Sequence, residues 1–401
     1  MPIRARLLHT ARRALARPGS AGLLLLALLG WPGAAAWAAP PGPAADWPAR
    51  LQAALATLEA ASPLQFGVYV RDLDSGVAAG HRADELWYLA STVKLPVALA
   101  VLRDVQHGAY DLDTRLTLRA DDYVDGAGST NRHPVGTSLT VRELLEQMMV
   151  WSDNTASDML IGLTGLDQVN RLVQDTTQAA VPAGFRPITT LADVRREVYG
   201  QLTPAARSLS GRDFLLLRAQ PGEAERLQVL ARRLGVPAGE FRLPGLRPAY
   251  DAYYAGGLNS ARLDAYGELL TRFARGEVLD DRRTRWLLAL MERSRTGPQR
   301  VRAGLPKGVR FAHKTGTQRE RTCDSGVITV PRLGRDQRIV LAACTRGEPS
   351  LAAAERALRG IGTALCRSGL LDQGTRHDTV CPDDLPALPL APPRGAAGPR
   401  P

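Results

Sequence analysis

An α/β fold, with one antiparallel sheet drawn from both ends of the chain and an all-α block between them, follows from three features of the sequence. Two strand-like stretches, 64–71 and 77–81, flank the turn-forming Asp72-Leu73-Asp74-Ser75-Gly76. Three more, 309–313, 326–330 and 338–343, come late in the chain. Residues 89–306 read as helices and polar loops. Neither set of strands can bury its apolar face alone, so the two are expected to join in one five-stranded sheet. The α/β part is then 47–88 with 307–368, and the all-α part is 89–306, containing an insertion at about 174–257.

At the N-terminus, Arg4, Arg6, Arg12, Arg13 and Arg17 precede an apolar run at 21–30, and Ala36-Trp37-Ala38 offers a small-x-small cleavage pattern. Residues 1–38 therefore read as an export signal, because the apolar run is too short, and too broken by Pro32 and Gly33, to span a bilayer. A Pro/Ala linker at 39–46 leads to a helix over 47–61 with Leu51, Leu55 and Leu58 on one face, and then to the first hairpin. Leu95, Leu99 and Leu102 give the buried face of a helix headed by Ser91. The polar segment 121–136 is expected to border a cleft, with Tyr123 on its rim. Thr140 and Glu143 can form a capping box for a helix over 140–149, and Ser152-Asp153-Asn154 marks the turn into another helix from about Ala156. Helical runs between 174 and 257 are broken by Pro182, Pro187, Pro204, Pro221, Pro237 and Pro244. Helices over 263–275, 282–293 and 351–365 follow, and then a Pro-rich tail at 369–401, expected to be disordered from Pro382 to Pro401.

Composition narrows the function classes. Of 401 residues, 45% are hydrophobic and 23% charged, which is ordinary for a chain with a sizeable core. The net charge of +11 includes the five leader arginines, so the exported chain is only moderately basic. Aromatics make up 5% and no basic run is interleaved with them, so nucleic-acid binding is not expected. The six histidines, at 9, 81, 107, 133, 313 and 377, lack ligand spacing, and neither metal nor cofactor is expected. Cys323, Cys344, Cys366 and Cys381 all fall late in the chain, which in an exported protein suggests disulfides. The register of the last two strands sets Cys323 almost opposite Cys344, leaving Cys366 for Cys381, although spacing alone does not fix the connectivity. A periplasmic or secreted monomer, without a membrane span after cleavage, is the expectation.

Chemistry concentrates in three short motifs. Ser91 and Lys94, three apart on a helix, share a face. A serine is a poor nucleophile until a base takes its proton, and a lysine desolvated towards its neutral form can be that base. Of the 51 basic residues only Lys94, Lys307 and Lys314 are lysines. Arginine does not give up its proton at working pH, so a lysine kept at 94 points to amine chemistry. Ser152-Asp153-Asn154 lies at a helix-to-helix turn, and the strand 309–313 leads into Lys314-Thr315-Gly316.

Together, Ser91-Thr92-Val93-Lys94, Ser152-Asp153-Asn154 and Lys314-Thr315-Gly316 resemble the three-part signature of class A β-lactamases and penicillin-recognising serine hydrolases. The likeness runs from about Trp47 to Cys366. Thr140-Val141-Arg142-Glu143-Leu144-Leu145 and Arg300-Val301-Arg302-Ala303-Gly304-Leu305-Pro306 are similar to class A in particular. The resemblance implies a three-layer α/β/α sandwich beside an all-α domain, and a small-molecule β-lactam or a peptidoglycan stem peptide as partner. It implies Ser91 as the acylated nucleophile, Lys94 as its base or relay, and Ser152 as the residue that passes the proton to the departing ring nitrogen. Asn154 would hold Lys94 and the substrate's side-chain amide. Lys314, Thr315 and Thr317 would hold the substrate carboxylate, and the backbone N–H groups of Ser91 and Thr317 would form the oxyanion hole. Asp153 would brace its turn, and His313 would point to the opposite sheet face.

One departure bears on function. Class A enzymes carry a Glu-x-x-Leu-Asn motif whose glutamate activates the deacylating water, and here the equivalent interval is Pro187-Ile188-Thr189-Thr190-Leu191. Asp193, Glu197, Glu223 and Glu225 are the nearby carboxylates, with Glu197 foremost by position. The arginine usual beside the final strands has candidates in Arg319, Arg321 and Arg346. The resemblance thus implies a serine β-lactamase. A D-alanyl-D-alanine carboxypeptidase or penicillin-binding protein with slow deacylation, and a non-catalytic envelope-binding module, are the alternatives.

Overall fold

A computed structural model describes residues 46–347, 350–372 and 380–382. The expected leader and linker up to residue 45, and most of the Pro-rich tail, lie outside the described residues. In chain order the structure has α1 (Trp47–Ala60), β1 (Gln65–Asp72), β2 (Ala78–His81), β3 (Leu86–Tyr88), α2 (Lys94–Gln106), β4 (Arg115–Thr117) and β5 (Ser138–Thr140). Then come α3 (Val141–Val150), α4 (Asn154–Thr164), α5 (Leu166–Thr177), α6 (Leu191–Leu202), α7 (Gly211–Arg218), α8 (Glu223–Leu234) and α9 (Leu246–Ala255). The chain closes with β6 (Ser260–Arg262), α10 (Leu263–Ala274), α11 (Asp281–Glu292), β7 (Arg310–Gln318), β8 (Arg321–Val330), β9 (Gln337–Arg346) and α12 (Leu351–Arg367).

The five long strands form one antiparallel sheet in the order β2-β1-β9-β8-β7, so strands from both ends do share it. Central β9 is buried on both faces and its side chains alternate between two cores. Ile339, Leu341 and Ala343 pack with Leu51 and Leu55 of α1 and with Leu358, Ile361 and Leu365 of α12. Val340, Ala342 and Cys344 face the opposite way, into a core shared with Leu95, Leu99 and Leu102 of α2 and Leu269 and Leu270 of α10. The sheet is therefore the middle of three layers. A third cluster gathers Val194, Val198 and Tyr199 of α6, Phe214 of α7, Leu230 of α8 and Ala249 and Tyr253 of α9 with Tyr88 and Ala90, so the Pro-broken insertion packs its core against the segment just before Ser91.

The last strands run longer than expected. β7 continues through Lys314-Thr315-Gly316-Thr317 to Gln318, and β8 starts at Arg321, because the tight connection at Glu320 lets ladder pairing reach the ends of both. Cys323 faces Cys344 in the β8–β9 register and is disulfide-bonded to it, and Cys366 is bonded to Cys381. The short pairs β3–β6 and β4–β5 have no counterpart in the sequence reading; three-residue strands are too short to show alternation. Among the described residues no helix is long and apolar enough to cross a membrane.

Candidate active site

The helix expected to start at Ser91 starts at Lys94. Residues Ala90–Val93 form a 3-10 turn, entered through a left-handed Ala90 at φ 48°. That tighter turn keeps Ser91 at the surface of the core while Lys94 is fully buried. Two bonds brace it: the Thr92 hydroxyl donates to Leu89 O at 2.7 Å, and the Tyr266 hydroxyl to Thr92 O at 2.9 Å. Strand β7 runs alongside, and its Gly316 is what allows the approach. A Cβ there would lie 2.5 Å from Leu89 O and 3.2 Å from the Ser91 nitrogen.

Lys94 joins the three motifs. Its Nζ lies 3.2 Å from Ser91 Oγ, 2.6 Å from Ser152 O, 3.3 Å from Ser152 Oγ and 2.7 Å from Asn154 Oδ1. Ser152 adopts φ 61°, an unfavourable conformation for a non-glycine residue, held because the turn between α3 and α4 is tied on both sides. Asp153 caps α4 through Ala156 N and accepts Ser129 N and Thr130 N with its other oxygen, as its expected bracing role requires. Lys314 Nζ donates to Ser152 Oγ at 2.9 Å and to Thr315 O at 2.9 Å. Ser91, Lys94, Ser152, Asn154 and Lys314 thus meet at one place, although they come from separate parts of the chain. His313 points to the other sheet face, stacked on Phe311 and bonded to Asp324 at 2.6 Å.

Burial makes both amines unusual. Desolvation pushes the Lys94 pKa down to about 7, against the pull of Asp153 and Asp158 and with help from Arg195. Lys314 is lowered well below its ordinary value by desolvation and by the positive charges of Lys94 and Arg300. An amine near neutrality, 3.2 Å from a serine hydroxyl, can take that hydroxyl's proton.

Arg300, unremarked within its seven-residue motif, is the arginine beside the final strands. It is buried, donating to Gly316 O and Cys323 O at 3.0 Å each and to the Thr317 hydroxyl at 2.6 Å. The Thr315 hydroxyl meets that of Thr296 at 2.5 Å. The three earlier candidates are engaged elsewhere: Arg319 with Glu223, Arg321 over the Tyr254 ring, and Arg346 with Glu85. A cation bound to backbone oxygens leaves no periodic trace, so only its place just upstream of Gly304-Leu305-Pro306 could have marked it.

With this geometry in hand, known proteins give the family. A profile of the β-lactamase enzyme family matches residues 50–206 and 215–368, most of the chain. The chain belongs to the β-lactamase enzyme family. It is 40% identical over 110 residues to β-lactamase L2 of Stenotrophomonas maltophilia, a match covering 27% of this chain and 36% of that protein. It is 28% identical over 265 residues to β-lactamase FAR-1 of Nocardia farcinica, covering 66% of each. The matched stretches therefore span from about a third to about two-thirds of these curated relatives. The crystal structure of a β-lactamase from Sphaerobacter thermophilus superposes with a TM-score of 0.57 at 26% identity, covering 81% of this chain and 98% of that one. The chain thus combines membership of this family with the class A fold.

Two expected site residues stand elsewhere. Tyr123 is not on a cleft rim: its side chain is buried, its hydroxyl donates to His133 O at 2.6 Å, and Arg212 lies over its ring. It fastens the 121–136 segment from within, and the half-exposed aromatic next to Ser152 is Trp151. Glu197 on α6 is held by Arg207 through Nε and Nη2 at 3.1 Å each. Two residues along a helix is about 200° of turn, so Glu197 faces away from the side on which Arg195 of the same helix meets Asp125 at 2.6 Å. Asp158, one turn after Asn154, accepts Leu191 N and Ala192 N at 2.8 Å each, and desolvation pushes its pKa up to about 6. Among the described residues no group of His, Cys, Asp or Glu could hold a metal ion.

Proposed function

We propose that this protein opens β-lactam rings by forming an acyl-serine at Ser91. Neutral Lys94 takes the Ser91 proton as Oγ attacks the lactam carbonyl. The carbonyl oxygen becomes an oxyanion facing the backbone N–H groups of Ser91 and Thr317, and the C–N bond then breaks. Ser152, between the two lysines, passes a proton to the departing nitrogen and is reprotonated from the Lys94 side. Lys314, Thr315 and Thr317 receive the substrate carboxylate, with Arg300 fixing the Thr317 hydroxyl, and Asn154 receives the side-chain amide. The observation that carries this reading is the Lys94 amine, fully buried yet within 3.3 Å of Ser91, Ser152 and Asn154. The leader-like sequence and the two disulfides support a periplasmic or secreted location.

A second reading, fast acylation followed by slow hydrolysis as in a penicillin-binding protein, is favoured by the carboxylates near the site. Glu197 is occupied by Arg207, and Asp153 and Asp158 each hold backbone N–H groups. Intact-protein mass spectrometry after brief exposure to benzylpenicillin, run beside a chromogenic cephalosporin assay, separates the cases. Steady colour release with a transient adduct supports hydrolysis. A long-lived adduct on Ser91 supports the acyl-trapping protein, and neither signal supports a binding module.

A further inference from the structure

A cavity of about 360 Å³ lies where the end of α2 meets α11, the 111–113 loop and the start of α3. That volume falls within the range of small-molecule sites. Lys94 is the first residue of α2 and Val105, which lines the cavity, is near its last, so about 16 Å of helix lies between them. The cavity is therefore a different place from the candidate active site, and no step of the proposed reaction uses it.

Its walls are apolar. Leu102 is part of the buried core, Leu112 and Trp286 pack partly buried against that core, and with Val105 they present hydrocarbon and an indole ring to the cavity. The acids around it are already engaged. Asp111 Oδ1 accepts the Thr114 hydroxyl and Asp113 N at 3.0 Å each, and Asp113 pairs with Arg142 at 3.4 Å. Asp280, the cap of α11, gives both carboxylate oxygens to Arg283, which also donates to Val105 O at 3.2 Å. Arg282 is exposed beside them, and no carboxylate lies within ion-pair distance of it among the described residues. The Trp286 indole N–H has no acceptor among them either. Arg282 and Trp286 stand at i and i+4 on α11, so the unpaired cation and the ring share one helix face and both line the cavity.

We propose that this cavity binds a small amphipathic anion, an aryl carboxylate whose ring packs against Leu102, Leu112 and Trp286 and whose carboxylate meets Arg282. The walls take the ring out of water, and the guanidinium offers the carboxylate a planar pair of charged donors. A neutral ring of the same shape gains the first of these and not the second. A cationic amphiphile meets an unpaired arginine where every neighbouring acid is taken.

The probes are 2-naphthoate and its neutral counterpart 2-naphthamide. Isothermal titration calorimetry should show saturable one-to-one binding of 2-naphthoate to the wild type. Its affinity should fall about fivefold in R282Q, and 2-naphthamide should bind the wild type about fivefold more weakly than 2-naphthoate, as the loss of one exposed ion pair predicts. Arg282 is exposed, so R282Q should keep its fold. Equal affinity of the two probes for the wild type, or of 2-naphthoate for the wild type and R282Q, overturns the anion site. Absence of saturable binding overturns the cavity as a site altogether. The indole N–H signals in an NMR correlation spectrum, assigned with W286F and W151F, give the location. A shift of the Trp286 signal on adding 2-naphthoate supports the cavity. A shift confined to Trp151, beside Ser152, places the probe in the candidate active site and overturns the proposal. None of these readouts passes through acylation of Ser91, so the cavity site stands or falls apart from the acyl-serine reading.

Discussion

Two packed walls that meet at the Asn154–Asp125 bond are built differently. On one, α2, the α3–α4 turn and β7 bring two amines, two hydroxyls and an amide into a network of direct bonds around Lys94. On the other, α6 brings a cation, and the acids around it are engaged: Asp125 with Arg195, Asp193 with Arg196, Glu197 with Arg207, and Asp158 with two backbone N–H groups. The first wall is equipped to form an ester in the proposed reaction. The second holds each of those acids in an ion pair or on backbone N–H groups.

The largest effect that can break this comparison is at Ser91. Ser91→Ala should abolish the penicillin adduct seen by intact-mass spectrometry, with the melting temperature nearly unchanged because Ser91 is not part of the core. An adduct that persists would remove the nucleophile and with it the significance of the whole first wall.

Next comes Lys94→Arg, which keeps a positive charge but cannot become neutral near pH 7. General-base assistance is worth about 10²–10⁴-fold, and the acylation rate should fall by that order. A loss of only a few-fold would move the base elsewhere. Lysine in place of arginine is a sequence-level signal, and it was legible because the chain is so sparing with lysine. The same holds for the i, i+3 spacing and for the Cys323–Cys344 register, each set by a local period. Arg195, Arg300 and the inward turn of Tyr123 were not legible for the opposite reason. Their partners, Asp125, the Gly316 carbonyl and His133 O, lie across loops whose path no periodicity records. Ser91 shows the same limit at short range, since nothing in its neighbours announces the left-handed Ala90 that begins the α-helix three residues late.

A smaller and continuous effect is expected from pH. With the Lys94 pKa held down to about 7 by desolvation, the neutral amine is scarce below that pH and dominant above it. Acylation should therefore rise about tenfold per unit on the acid side and level off above a midpoint near 7. Stopped-flow acylation by a chromogenic cephalosporin between pH 5 and 9 measures it. Acylation that stays flat from pH 5 to 9 would mean that the neutral amine of Lys94 is not the base and that the first wall works by electrostatics alone.

The smallest expected effect is the sharpest test of the second wall. Glu197 was the foremost candidate for the deacylating base by sequence position, and the structure turns it away from Arg195 and onto Arg207. Glu197→Gln should therefore change the lifetime of the benzylpenicillin adduct by less than about twofold, since the surface pair it breaks is worth no more than about 1 kcal/mol to the fold. If the adduct instead becomes tenfold or more longer-lived, α6 must turn Glu197 towards Ser91 in the acylated protein. The contrast between the walls would then hold only before acylation, and hydrolysis would depend on a rearrangement that frees this carboxylate from Arg207.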